Sequence, residues 1–320
     1  KMVNDTGNAA AADVMVSVSL AERDTNGDSL LVWSYPSTES EMEQYVLKRC
    51  KSVMDQQESQ LVWTRFQSTW CYMYPVVVSQ QDKLLRHLRG FTVVLQSKLF
   101  DPERFGALCK ELAQAYSAKG TPLAMLEAYL SVFTVGKFQG YVDSSFLSMS
   151  PLTESPVKFL VETFGEETVV LWSAVLLKKR VAVYADSLPV QLTLLRALPA
   201  LAWHRRDWTI LRPFCTGEEE ELAGLSSGGG FFCAGFSEGQ EAREGELWDV
   251  YVDVPAQTCK ISEKSAKDFG LTSVHRDVVK LLMTAREEEV SDADLIHGLA
   301  GKTQELLGKL QVLVEEEESG

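Results

Sequence analysis

The chain has 320 residues, 45% of them hydrophobic and 24% charged, with a net charge of −14; this is enough to bury a substantial core in one large or two moderate domains. The negative balance opposes polyanions, which excludes nucleic acid and anionic membrane surfaces as expected partners. The six cysteines, at 50, 71, 109, 215, 233 and 259, form no C-x-x-C pair, so neither a zinc site nor a disulfide framework is indicated.

The first residues lack the basic flank and apolar run of a secretory signal, and no apolar run reaches membrane-spanning length. A cytoplasmic protein with no direct membrane insertion is the expectation. Val14 to Leu20 alternates apolar and small polar residues as a half-buried strand does. Asn26-Gly27 then marks a hairpin before the apolar run Leu30 to Trp33. The same turn resembles a calcium loop at Asp24, Asn26 and Asp28. Its sixth position is Ser29 rather than Gly and its twelfth is Tyr35 rather than Glu, so the turn reading is preferred.

Glu39 to Val53 reads as a helix with Met42, Val46 and Leu47 on one face. Leu61–Trp63, Thr69–Ser79 and Phe91–Leu95 read as strands. Asp101-Pro102 opens a well-marked helix with stripe Phe105, Leu108, Leu112 and Tyr116, and Gly120 ends it. Thr121-Pro122 starts another, through Leu126, Tyr129 and Phe133. Residues 137–155, with serines, Gly140 and Pro151, form the best linker candidate.

From Lys158 to Pro213 the chain is most persistently apolar. Gly165 ends one short helical pattern and Glu167–Leu177 begins another, closed by Lys178, Lys179 and Arg180 as a cationic last turn. Val181–Tyr184 reads as a buried strand. A helix opened by Ser187 and Pro189 must kink or stop at Pro199. Trp208–Leu211 reads as a second strand, which makes a βαβ unit with a parallel strand pair. Residues 216–230, with four glutamates and a glycine run, read as a mobile acidic loop. Leu271–Arg286 and Ser291–Leu313 read as helices, the second with stripe Leu295, Leu299, Leu306 and Leu310 capped by Ser291.

No covalent chemistry is expected. Gly301-Lys302-Thr303 ends like a phosphate loop, but Ile296 stands where that loop needs glycine. Gly224-Leu225-Ser226-Ser227-Gly228 fits G-x-S-x-G without the strand-to-helix setting of a nucleophile elbow. The four histidines, His87, His204, His275 and His297, have no ligand spacing. No cofactor and no metal are predicted.

Two stretches suggest protein contact instead. Trp33 and Tyr35 leave a strand just before Pro36, and aromatics at element ends are enriched at interfaces; core packing is the competing reading. His204, Arg205, Arg206 and Trp208 form a second candidate patch, with a basic turn among core tryptophans as its alternative.

The order of the elements carries a resemblance. LLKKRVAVYADS, a helix, and then LPALAWHRRDWTIL resemble the central segment of DENN domains. FFCAGF (231–236) followed by LWDVYVDVPAQTCKI (247–261) is similar to that family's "PFIxG" and "VVVDLD" strands. The resemblance implies an α/β fold, a bilobed DENN module with an N-terminal longin-like lobe and a C-terminal α/β DENN lobe ending in helices. It implies a longin-like lobe at 14–140, a central DENN segment at 153–262 and a C-terminal helical segment at 263–320. It also implies a guanine nucleotide exchange factor or regulator of a Rab GTPase, recruited to late endosomes. Such exchange works by differential binding and needs no acid, base or nucleophile. The alternative is a non-catalytic subunit that docks coiled-coil subunits of an endosomal sorting (Commander-type) complex, with the cleft between lobes as the expected site.

Overall fold

The computed structural model describes residues 14–54, 59–143, 155–205, 207–215, 217–227, 230–237, 247–270 and 272–319. It is a mixed α/β structure that divides into two compact units, Lys1–Met149 and Ser150–Gly320.

The first unit is built on a five-stranded antiparallel sheet in the order β2-β1-β5-β4-β3. Its strands are β1 (Met15–Asp24), β2 (Ser29–Tyr35), β3 (Val62–Phe66), β4 (Thr69–Val77) and β5 (Leu88–Ser97). The hairpin between β1 and β2 forms where Asn-Gly predicts it. Gly27 takes the positive φ of 98°, and the Asp24 carboxylate accepts the Asp28 N–H at 2.9 Å. The Asp24 carboxylate thus serves the turn.

Helix α1 (Ser40–Met54) packs on the sheet through Val46, Cys50, Val53 and, unforeseen from its stripe, Arg49, whose guanidinium lies 5.0 Å from the Tyr45 ring centre. Helices α2 (Pro102–Lys119) and α3 (Pro122–Val135) follow β5. Asp101 caps α2 by accepting the Arg104 N–H, and Gly120 ends it at φ 66°. Phe105, Leu108, Leu112 and Tyr116 are buried as their spacing requires. The short pair β6 (Lys137–Phe138) and β7 (Tyr141–Val142) closes the unit.

The second unit contains a five-stranded sheet in the order β12-β11-β8-β10-β9. Its strands are β8 (Val181–Tyr184), β9 (Leu211–Cys215), β10 (Cys233–Phe236), β11 (Val250–Asp253) and β12 (Thr258–Ile261). Around it lie α4 (Val157–Phe164), α5 (Thr168–Leu176), α6 (Leu188–Ala197), α7 (Glu219–Ser227), α8 (Ser273–Glu287) and α9 (Asp292–Ser319).

Three expectations for this unit are corrected. Trp208–Ile210 is a 3-10 turn, not a strand, because Asp207 accepts the Thr209 N–H and caps it; β9 begins at Leu211. β8 does not pair with β9: its neighbours are β11 and β10, and β10 lies parallel between β8 and β9. Gly235 explains how β10 fits there, since a Cβ on it would press into Gln191 and Leu195 of α6. Residues 219–227 are helical rather than loop: Leu222 and Leu225 lie three apart on α7 and pack on Phe232, Phe236 and Tyr251.

The basic run after α5 is also not a last turn. The helix ends at Leu176, and Lys178 takes a positive φ of 54°. Lys179 then pairs with Asp268, and Arg180 pairs with Asp249. The cation at the helix end is Arg205, which donates to the carbonyls of Val175 and Leu176, 2.7 Å each.

Helix α8 carries Val278, Leu282 and Ala285 inward, and α9 is preceded by Ser291, whose hydroxyl accepts the Asp294 N–H at 3.2 Å. Leu295 and Leu299 are buried, whereas Leu310 is exposed, so the stripe is covered only along its first turns. Gly301-Lys302-Thr303 lies within α9, with the Thr303 hydroxyl donating to the Leu299 carbonyl. Gly224 to Ser227 lie in α7, without a strand-to-helix elbow. No described helix is long and apolar enough to cross a membrane.

Candidate functional site

Strand β2 is an edge strand, paired on one side with β1. Along that pairing Tyr35 faces Val18, Trp33 faces Leu20, Leu31 faces Ala21 and Leu30 faces Glu22, so Val32 is an extra residue in a bulge. Residues opposite each other share a sheet face, and β1 alternates without interruption through Val18, Leu20 and Glu22. The bulge therefore brings Leu30 onto the face that carries Trp33 and Tyr35. Plain alternation along β2 would have put it on the other side.

The rings of Trp33 and Tyr35 lie nearly parallel, 6.5 Å between centroids with an 11° interplanar angle. Tyr35 meets Tyr129 of α3 edge-on at 6.4 Å, and Tyr129 packs against Phe133 at 5.8 Å. Burial raises the Tyr129 phenol to about 12, with Tyr35 adding to the shift, so that ring is uncharged at neutral pH. Leu30 is 63% exposed and Tyr35 40%, while Trp33 is half-buried. The Ser34 hydroxyl donates to the Pro36 carbonyl at 3.0 Å, which ties down the chain as it leaves the strand. The result is a preorganised, mostly apolar row held by a strand and a helix. Large aromatics held this way supply contact area with little rotamer entropy left to lose.

In the second unit, the other candidate residues occupy one turn. His204 is exposed at the surface, and partial desolvation of its ring together with the Arg205 charge lowers its pKa. Arg205 is occupied in capping α5. Trp208 is half-buried at the start of the 3-10 turn. Arg206 lies outside the described residues. Trp33 and Tyr35 are thus brought into one ring stack, whereas Arg205 is turned inward to a helix end. Tyr129 was visible in the sequence only as part of a helix stripe; its meeting with Tyr35 depends on how α3 packs beside β1.

Among the described residues no group of His, Cys, Asp and Glu could hold a metal ion. Five of the cysteines are buried, and burial raises the thiol pKa of Cys71 and Cys233 to about 12. These thiols are packing residues rather than nucleophiles. What the described residues present along β2 is an exposed, mostly apolar aromatic face.

No protein-family model matches the chain. Curated relatives do. A zebrafish (Danio rerio) protein is 34% identical over 313 residues, covering 96% of this chain and 89% of its own. A Dictyostelium discoideum protein is 33% identical over 325 residues, covering 95% and 88%. A Homo sapiens protein is 32% identical over 309 residues, covering 94% and 86%. All three are named DENN domain-containing protein 10. The α/β fold is thereby joined to a class, the DENN-domain proteins. Within that class the chain belongs to the DENN domain-containing protein 10 family.

Proposed function

We propose that this protein is a guanine nucleotide exchange factor or regulator for a Rab GTPase in late-endosomal and vesicle traffic, working from the cytoplasm. Family membership supports the class of activity. The observation that carries a protein partner is the exposed Leu30–Trp33–Tyr35 face, an apolar aromatic row on a rigid sheet. Exchange of this kind stabilises the nucleotide-free GTPase by binding it better than the loaded form. The antiparallel order β2-β1-β5-β4-β3 supports reading the first unit as the longin-like lobe of a bilobed DENN module. Residues 153–262 and 263–320 would be its central and C-terminal DENN segments. The test is GDP release from a panel of purified Rab GTPases with and without the protein. Acceleration confined to one or a few members supports the reading, and none across the panel overturns it.

A second reading is favoured by the bulge at Val32. A bulge breaks the hydrogen-bonding row of a free edge, which hinders strand addition and leaves recognition to side chains. The row from Trp33 through Tyr35 to Tyr129 suits a helical ligand with apolar residues at i, i+3 and i+4. In this reading the protein is a non-catalytic subunit that docks coiled-coil subunits of an endosomal sorting (Commander-type) complex. Binding of a coiled-coil fragment that is lost in Trp33→Asp, with GDP release unaffected, would select it.

A further inference from the structure

A cavity of about 950 Å³ opens in the first unit, away from the aromatic row at the turn end of the β1–β2 hairpin. Its position follows from the register of three adjacent strands. Arg23 of β1 and Val77 of β4 both face Gly90 of the central strand β5. Gly90 carries no side chain, and a Cβ there would come within 2.7 Å of the Val76 carbonyl oxygen. Strands β4 and β5 therefore approach closely at Gly90, and beside that approach the cavity is lined by apolar residues, Val53 of α1 and Val77 and Leu88 of the sheet among them.

The rim is of one sign. Arg23, Arg86 and Arg89 line the cavity, and no carboxylate lines it among the described residues. Arg86 and Arg89 are exposed, and neither makes an ion pair among the described residues. The Arg89 guanidinium lies beside Gly27 in the hairpin turn, 3.9 Å from where a Cβ on that residue would stand. Two exposed guanidinium groups, those of Arg86 and Arg89, beside an apolar lining contrast with a chain whose net charge is −14. A concave site lined by one sign of charge concentrates the opposite charge.

We propose that this cavity is a second binding site, for an acidic peptide segment that carries an aliphatic side chain between its carboxylates. The guanidinium fork matches a carboxylate in two parallel hydrogen bonds. The apolar lining then takes the aliphatic group, which a bare inorganic anion would leave uncovered. The volume lies at the upper end of ordinary ligand pockets and holds several residues of an extended chain. An anionic bilayer is disfavoured by the overall negative charge and by the concave shape of the site.

The test is selection from a displayed random heptapeptide library on the full chain, run in parallel on the Arg86→Glu/Arg89→Glu double variant. Both positions are exposed, and a thermal scan confirms that the variant is folded. The expected result is enrichment of peptides with Asp or Glu flanking Leu, Ile or Val, absent with the variant. A selected peptide, labelled for fluorescence anisotropy, should bind the variant at least tenfold more weakly. Wild-type affinity should also fall at least fivefold between 50 and 500 mM NaCl. Selection without acidic enrichment, or the same peptides from wild type and variant, overturns the proposal. So does sedimentation of the wild type but not the variant with phosphatidylcholine vesicles containing 30% phosphatidylserine, which would assign the arginines to a membrane surface.

Discussion

Arg180 and Asp249 hold each other through both backbone and side chain. The Arg180 guanidinium reaches the two oxygens of the Asp249 carboxylate, with Nε and Nη2 at 3.2 Å. The Arg180 backbone N–H donates to the same carboxylate at 2.8 Å, and the Asp249 N–H returns to the Arg180 carbonyl at 2.9 Å. The Ser265 hydroxyl donates to the carboxylate as well, at 2.8 Å. The pair sits one residue before β8 and one before β11, so it sets where these two parallel strands begin to run together.

Removing one partner therefore costs more than an exposed ion pair would. Asp249→Ala leaves a partly buried guanidinium and the Ser265 hydroxyl without their acceptor, at a cost of about 3 kcal/mol. Arg180→Ala should cost about 2 kcal/mol, because Ser265 and the Arg180 N–H still serve the carboxylate. The double variant, measured by urea unfolding, should fall short of the sum by about 1 kcal/mol or more. Strict additivity would show that the two groups do not act together.

The same contact gives stability a pH dependence of known sign. Burial by itself raises the Asp249 pKa, but the hydrogen bonds and charge of Arg180, with Ser265, bring it down from 3.8 to about 2. A depressed folded-state pKa stabilises the fold at pH values above 3.8, and that contribution is lost as pH falls towards 2. The stability gap between wild type and Asp249→Asn should be constant from pH 7 to about 5 and shrink as the carboxylate titrates. A gap that stays level down to about pH 2.5 would rule the linkage out.

Arg205 makes a separate prediction, about a helix end. Its Nη1 and Nη2 cover the carbonyls of Val175 and Leu176. Arg205→Ala should lower stability by about 1–3 kcal/mol, the cost of uncovering acceptors bonded to a charged donor. Arg205→Lys should recover only part of this, since an ammonium lacks the planar fork. Equal unfolding midpoints for wild type and Arg205→Ala would show that water serves those carbonyls as well.

What could be read in the sequence was local. Asn26-Gly27, Asp101-Pro102 with Gly120, and Ser291 each act within a few residues of themselves, and each marks a turn or helix end where the chain has one. What could not be read depends on partners distant in sequence. Arg205 finds its acceptors 30 and 29 residues upstream, so it reads as one cation in a basic turn. The place of β10 between β8 and β9 is a matter of strand order, which no local pattern encodes. The glutamates of 218–221 hid the Leu222–Leu225 pair that makes α7 a packed helix. At the candidate site Trp33 and Tyr35 were legible as aromatics at a strand end. Leu30 was not, because the bulge at Val32 is needed to turn it to their side.

That face supports the most discriminating substitution. Trp33 is half-buried on an edge strand and stacks on Tyr35. Trp33→Asp places a charge in the middle of the apolar row and removes the larger ring of the stack, so partner binding should weaken at least a hundredfold. Hot-spot aromatics at such positions are worth 2 kcal/mol or more, and a charge without a partner adds to the loss. The fold should survive with a melting temperature lower by only a few degrees, because the residue stands at the sheet edge. Leu99→Asp is the matched control: Leu99 is 48% exposed, just past the end of β5 and off the aromatic row. Binding measured by titration calorimetry should be unchanged in Leu99→Asp and lost in Trp33→Asp. Equal affinity in both variants, with both folded, would remove the aromatic row from the docking surface.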